Sequence, residues 1–302
     1  MWRRIGVAVA GAAVLLALLA YASLRDNPAR PAIGERRAVV SGGAEIEYFV
    51  SGRGGSFPVA LVASWGRSAS DFNELVSALN RAGFATLAIQ HRGVDGSTLP
   101  SLRPSLHTYA ADLAAAVEAE GIGGEIAVIG HAYGNRVART FATDFPERVA
   151  GVVLLAAGGS APPPAEIQPA MPRALLQVWP ETTRAQAIRA AFFAEGNPVP
   201  EYWMSGWYPL AGIAQGRASA ATPYEEWGAG GSARMLILEP RDDALARGAG
   251  ERLRARFPSR VELEIIEGAG HALLPEQPAA LSRAVLPFLV SLERAAGRGP
   301  GS

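Results

Sequence analysis

Cysteine and lysine are both absent from this 302-residue chain. Without thiols there are no disulfides, no thiolate nucleophile and no cysteine-ligated metal. All 28 basic residues are arginine, which excludes Schiff-base chemistry and a phosphate-binding P-loop lysine. Neither sign of charge is in excess: 28 arginines meet 28 carboxylates, so nothing favours binding to nucleic acid. Histidine is scarce. His91, His107, His131 and His271 are the only imidazoles, and none forms a close helical pair with a glutamate between, so no metal and no cofactor is expected. What is plentiful is apolar surface, 49% of residues, enough for one large core with an excursion and too little for two unrelated full-size domains.

Arg3 and Arg4 precede an uninterrupted apolar run from Ile5 to about Ala22, the pattern of an export signal. Ala20-Tyr21-Ala22 fits a small-x-small cleavage site, and the run is also about long enough to stay as a bilayer anchor. Either way the remainder is expected on the periplasmic or extracellular side, secreted or anchored, touching a membrane only through this segment if it is uncleaved. Asn27 to Gly34, with two prolines, reads as a linker, so that leader and linker together occupy residues 1–33.

From there the pattern is one of buried strands alternating with amphipathic helices. Arg37 to Ser41 and Ala44 to Ser51 flank Gly42-Gly43, a hairpin signal. Pro58 to Ser64, Phe84 to Gln90, Ile126 to Gly130 and Ala150 to Ala157 are continuous apolar runs, as expected of strands covered on both faces of a parallel sheet. Helices are predicted at about Ser70–Arg81, with Phe72, Leu75, Val76 and Leu79 on one face, at His107–Glu120, and from the end of the Ile126 run to about Phe145. The rhythm stops between Gly158 and Ser232, a stretch that opens on Pro162-Pro163-Pro164 and carries Trp179, Trp203, Trp207 and Trp227. It is too long for a loop. Arg234 to Glu239 and Val261 to Ile266 resume the sheet, with helices at Arg247–Phe257 and Pro278–Arg294. The whole reads as α/β, a doubly wound, mostly parallel sheet.

Chemistry concentrates where strands end. Ile129-Gly130-His131-Ala132-Tyr133-Gly134 lies between an apolar strand and a helix, in the form G-x-A-x-G. Glycines on both sides are what a sharp strand-to-helix turn needs when it lifts one residue and lets the helix pack close to the strand. Asp242-Asp243 follow the penultimate strand, and Gly268-Ala269-Gly270-His271 follows the last.

In that order and spacing, from about Arg36 to Arg294, the chain resembles the α/β-hydrolase superfamily, of the type with a helical cap inserted after the sixth strand. The resemblance implies a core over 34–158 and 233–296, a cap over 159–232 and a disordered tail at 297–302. It makes Ala132 the vacant nucleophile position on the elbow, Asp243 (with Asp242 as the alternative) the acid, and His271 the base. It places the oxyanion hole at the backbone N–H groups of Tyr133 and Arg67, in the loop Trp65-Gly66-Arg67 where the family commonly begins His-Gly. Trp65, Trp179, Trp203 and Trp207 are candidate pocket walls for a small apolar molecule, although such aromatics also serve to glue a cap to a core. His131 reads as a turn-packing residue, and Ser64, Ser68 and Ser70 are the hydroxyls near the oxyanion loop.

An alanine at the elbow cannot form an acyl-enzyme. Three accounts follow. His271 with Asp243 acts as a general base without a covalent intermediate; or the protein is a pseudo-hydrolase that binds an apolar ligand or a partner; or Ala132 is an engineered replacement of serine in an esterase.

Overall fold

The computed structural model describes residues 18–52, 54, 57–159 and 161–297. Its frame is an eight-stranded sheet, β1 Glu35–Ser41, β2 Ala44–Ser51, β3 Pro58–Val62, β4 Ala85–Ile89, β5 Ile126–His131, β6 Val149–Leu155, β7 Arg234–Pro240 and β8 Val261–Ile266, in the spatial order β1-β2-β4-β3-β5-β6-β7-β8. The β1–β2 and β2–β4 pairs are antiparallel; from β4 onward every pair is parallel. The hairpin forms at Gly42-Gly43, both with positive φ (50° and 77°), the backbone geometry that a two-residue turn of matching twist requires.

The continuous apolar runs are explained by what covers them. Successive residues of a strand point to opposite faces, and here both faces are closed. Ala60 and Val62, Val128, Val152 and Leu154, Met235 and Ile237 pack into one cluster with helices α2 (Leu106–Ala119) and α3 (Tyr133–Asp144). Val59, Leu61, Ala127, Ile129, Val153, Leu155, Leu236 and Leu238 pack into the other with α1 (Asn73–Arg81) and the closing helix. The helix expected from Ser70 begins as a tight 3-10 turn, Ala69–Phe72, because Ser68 caps it by accepting from the Ser70 N–H. The β8 edge behaves differently: Glu262 and Glu264 alternate outward, so only one face is buried.

Between β6 and β7 lie the helices α4 Ala170–Leu175, α5 Glu181–Phe192, α6 Pro209–Ala221 and α7 Tyr224–Trp227. After β7 come α8 Ala249–Arg256, the short α9 Leu273–Glu276 and the closing helix α10 Pro278–Ala295, which continues through Pro287.

Residues 27–34 do not run free as a linker. Asn27 pairs with Trp207 through two backbone hydrogen bonds of 3.0 Å, and the Ala29 N–H donates to the Tyr208 hydroxyl. Arg30 forms a bidentate pair with Glu74 on α1. This strap ties the helical segment to the sheet. Among the described residues no helix is long and apolar enough to cross a membrane. Residues 1–17 of the leader and 298–302 of the expected tail lie outside the described residues.

Candidate active site

The turn after β5 is strained where an elbow requires it. Ala132 sits at φ 49°, ψ −105°, a region that costs an L-residue about 1–3 kcal/mol. It is held by its own N–H, which donates to the Leu155 carbonyl at 2.9 Å, and by its carbonyl, which accepts from the Asn135 N–H and side-chain amide. The two glycines are obligatory. A Cβ on Gly134 would overlap the Val62 carbonyl oxygen, and one on Gly130 would overlap the Gly134 carbonyl.

His271 follows β8 in a turn pressed against residues 192–194. Its neighbour Ala272 donates N–H to the Phe192 carbonyl at 2.7 Å, and Glu276 accepts from the N–H groups of Gly270 and Ala194, both at 2.8 Å. A Cβ on Gly270 would come within 2.6 Å of the Ala194 nitrogen, so only glycine lets this turn approach. His271 Nδ1 lies 2.9 and 3.0 Å from the two carboxylate oxygens of Asp243, and therefore carries the proton and donates. Asp243 is 1% exposed. Burial pushes its carboxyl up, but the charge and hydrogen bond of His271, with the N–H groups of Leu245 and Ala246, outweigh that and hold it below the ordinary carboxylate value. Asp242, one residue earlier, is exposed and does not meet His271. His271 Nε2 has no partner among the described residues, and His271 lines a cavity of about 290 Å³ together with Ala132, Tyr133, Trp65 and Ser64.

His131 was expected only to pack the turn. Its Nε2 donates to the His271 carbonyl at 2.8 Å while its Nδ1 is buried without a partner, and burial, with the nearby His271 second, pushes its pKa down to about 4. It is a neutral support beneath the turn that carries His271. His91 is likewise buried, donates to the Ala63 carbonyl at 2.9 Å and is pushed down to about 4.

Two expectations are corrected. Arg67 is not an available oxyanion donor: its N–H closes a turn onto the Ser64 carbonyl at 3.2 Å, and it does not line the cavity. Its guanidinium is paired with Asp71, donates to the Ser205 carbonyl at 2.7 Å and stacks on Trp203 and Trp207. Trp65 is the loop residue at the cavity. Neither its N–H nor that of Tyr133, in the open first turn of α3, has an acceptor among the described residues. The second correction concerns the tryptophans. Trp203 and Trp207 are buried around Arg67, Phe192 and Phe193, and so act as glue. Trp179, 41% exposed, lines a separate groove of about 990 Å³ beside the strap. Only Trp65 lines the cavity, anchored by its Nε1 donating to the Gly212 carbonyl at 2.7 Å. Of the serines, Ser64 reaches the cavity, whereas Ser68 caps the 3-10 turn and Ser70 is buried within it.

Arg136 is the charged residue among the cavity-lining positions that sequence reading missed, which include also Met171, Phe192, Ser219 and Leu245. The signal for Arg136 was available: it stands four residues after Ala132, hence on the same side of the turn and helix. Among the described residues no cluster of His, Asp or Glu is arranged to hold a metal ion.

Residues 48–284 match the alpha/beta hydrolase family. The chain is 29% identical over 280 residues to a non-heme chloroperoxidase of Streptomyces lividans, covering 83% of this chain and 98% of that one. Its fold is similar to that of a thermophilic esterase from Thermogutta terrifontis (TM-score 0.70, 23% identity, 86% of this chain and 99% of that one). It is similar also to naproxen esterase from Bacillus subtilis (TM-score 0.69, 18% identity, 85% and 92%).

Proposed function

The chain belongs to the alpha/beta hydrolase family, and from that premise we propose that it cleaves an ester-like bond in a small molecule with His271 as a general base and without a covalent intermediate. The observation that carries this reading is the intact pair: Asp243 fixes Nδ1 of His271 at 2.9 Å and leaves Nε2 unpartnered at the cavity beside Ala132. What sets His271 apart from His91 and His131, whose Nε2 atoms are each bound to a carbonyl, is that its own Nε2 is left facing the cavity.

In this reading Ala132 stands where the family's serine would be, and water replaces the seryl oxygen. His271 Nε2 takes a proton from water as its oxygen adds to the substrate carbonyl carbon. The resulting oxyanion is met by the N–H groups of Tyr133 and Trp65. It collapses by expelling the leaving oxygen, which takes the proton from the imidazolium, so that the products are one acid and one alcohol. Asp243 stays ionised throughout and stabilises the imidazolium. Residues 159–232 act as a cap over the cavity, with Met171 and Phe192 among its walls, and the apolar wall suits a compact apolar body. General-base assistance is worth roughly 10²–10⁴-fold, so turnover is expected to be slow beside that of a serine esterase.

A binding protein without turnover is the second reading, favoured by Ala132 itself. Wild type, Ala132→Ser, His271→Ala and the double variant, assayed on a panel of short-chain and aryl esters, separate the two. Slow wild-type hydrolysis that disappears in His271→Ala supports the base. Inert wild type with tight ligand binding indifferent to His271 supports the binder. Ala132→Ser is expected to gain His271-dependent turnover under both readings, and its staying inert while folded would show that the turn and the histidine are not assembled for chemistry. We further propose, from the basic flank and apolar run at the N-terminus, that the folded part works outside the cytoplasm. A C-terminal reporter active only in the cytoplasm would overturn that.

A further inference from the structure

The cavity also holds a charge that no carboxylate among the described residues answers. Arg136 lines it and is partly buried, yet among the described residues its one hydrogen bond is a long 3.4 Å contact to the Gly159 carbonyl, and the ring it faces, Trp227, lies 5.4 Å away. It has no ion pair among the described residues, and no carboxylate lines the cavity. Two other buried guanidiniums are treated differently: Arg67 and Arg92 each meet an aspartate in a two-pronged pair with contacts of 2.7–2.9 Å, whereas Arg184, outside this cavity, meets only the Met204 carbonyl. An unanswered, desolvated cation is unfavourable, and a fold that needed only an apolar wall would place a leucine there.

The neighbourhood deepens the imbalance. One turn further along α3, Arg139 is 1% exposed and meets only neutral groups: the carbonyls of Gly158 and Gly228, the side-chain oxygen of Asn135 and the Trp227 ring, 4.5 Å away. It lines a second cavity of about 230 Å³ with Arg252 and Arg256 of α8, again without a carboxylate, and this cavity shares Gly158 and Ala161 with the first. None of these four arginines has an ion pair among the described residues. Burial also pulls the pKa of Arg136 and Arg139 below the ordinary arginine value, as expected where no anion compensates. Arg136 has its stem on the same helix as the elbow, so an oxyacid group bound to it sits at a fixed distance from whatever lies at Ala132 and His271.

We propose that Arg136 is a substrate-binding residue that anchors an anionic oxyacid group, carboxylate or phosphate, on the molecule presented to His271, with Arg139, Arg252 and Arg256 adding field from the adjoining cavity. The substrate class is then an apolar small molecule bearing one such group near the bond to be broken. This rests on the reading of the cavity as the reaction site, but it is tested by binding alone.

The probes are 4-phenylbutyrate, its neutral amide and the corresponding phosphonate, titrated by calorimetry against wild type, Arg136→Gln and a surface control, Arg283→Gln. The expected result is that the carboxylate or the phosphonate binds wild type and the control at least about tenfold more tightly than the amide. That preference should vanish in Arg136→Gln and weaken with salt. Whichever anion leads distinguishes carboxylate from phosphate. Equal affinity for acid and amide, a preference that survives Arg136→Gln, or no binding of any probe at millimolar concentration would overturn the proposal. Should the glutamine variant fail to fold, Arg136→Met keeps an unbranched apolar stem without the charge and serves in its place. Because no turnover is read, a failure of His271-dependent hydrolysis leaves this result intact, and the reverse also holds.

Discussion

The two sides of the cavity treat charge in opposite ways. On the His271 side every ionised group is matched within the fold: Asp243 by the His271 imidazole and two backbone N–H groups, Glu276 by two more. On the Arg136 side two helical guanidiniums one turn apart meet carbonyl and amide oxygens and the Trp227 ring, and no carboxylate among the described residues. A matched group is finished; it serves geometry, holding one tautomer and one orientation. An unmatched one is unfinished, and its missing partner must come from outside. The contrast separates the part of the site proposed to perform proton transfer from the part proposed to select what is transformed.

The variant that should break both sides at once is Gly134→Val. A side chain there collides with the Val62 carbonyl, which cannot move without the sheet, so a loss above about 4 kcal/mol is expected. Urea denaturation, or failure to recover soluble protein, measures it. An unchanged midpoint would mean that the turn is not built as described.

Next in size is a comparison of paired and unpaired arginines. Asp71→Asn strands the buried Arg67 guanidinium and should cost about 3–5 kcal/mol. Arg136→Leu removes a cation that has no carboxylate and should leave stability within about 1 kcal/mol of wild type, or raise it. Equal losses in the two variants would erase the distinction drawn here.

Acid sensitivity offers a third test. His91 and His131 are pushed from 6.5 to about 4 in the folded protein, chiefly by burial. The unfolded chain therefore binds protons first as pH falls. The stability due to keeping these rings neutral is complete above pH 6.5 and drains away down to about pH 4, roughly 3 kcal/mol for each histidine. His91→Gln should flatten the pH dependence of the urea midpoint across that window by about half. Asp243 acts lower down: its carboxyl is held below 3.8, so its contribution is complete above that value and fades only as pH drops through the folded pKa. A stability curve flat from pH 6.5 to 4 would contradict the burial of both rings.

The smallest effect belongs to Trp179→Ala. This side chain is 41% exposed and lies in the groove beside the strap, away from the cavity. Stability should change by less than about 0.5 kcal/mol, and probe binding by calorimetry should not change at all. Weaker probe binding in this variant would place it in the site after all.

Much of this molecule is local and could be read from the chain. The runs PVALV, IAVIG and MLIL are apolar throughout because each strand is covered on both faces, and that pattern needs no knowledge of the partners. The glycines of the elbow, the choice of turn at Gly42-Gly43 and the histidine turn follow from steric limits that act within a few residues. Ala132, Asp243 and His271 could be named because the turns that end their strands resemble, in order and spacing, those of the α/β-hydrolase superfamily. Other features are decided only when distant segments meet. Arg67 is withdrawn from the cavity by Asp71, Ser205 and two tryptophans from the β6–β7 segment. Residues 27–34 are a strap because Asn27 finds Trp207, 180 positions away. His131 supports His271 across 140 residues. The meaning of Arg136 depends on an absence, since a missing counter-charge is a property of the whole surrounding fold. Sequence by itself therefore determined the sheet and its turns, because short-range sterics and hydrophobic periodicity act along the chain, and through its resemblance to the superfamily the order of the candidate groups. Tertiary structure alone decided which side chains face the cavity and which charges go unanswered, because electrostatic compensation depends on distances in space.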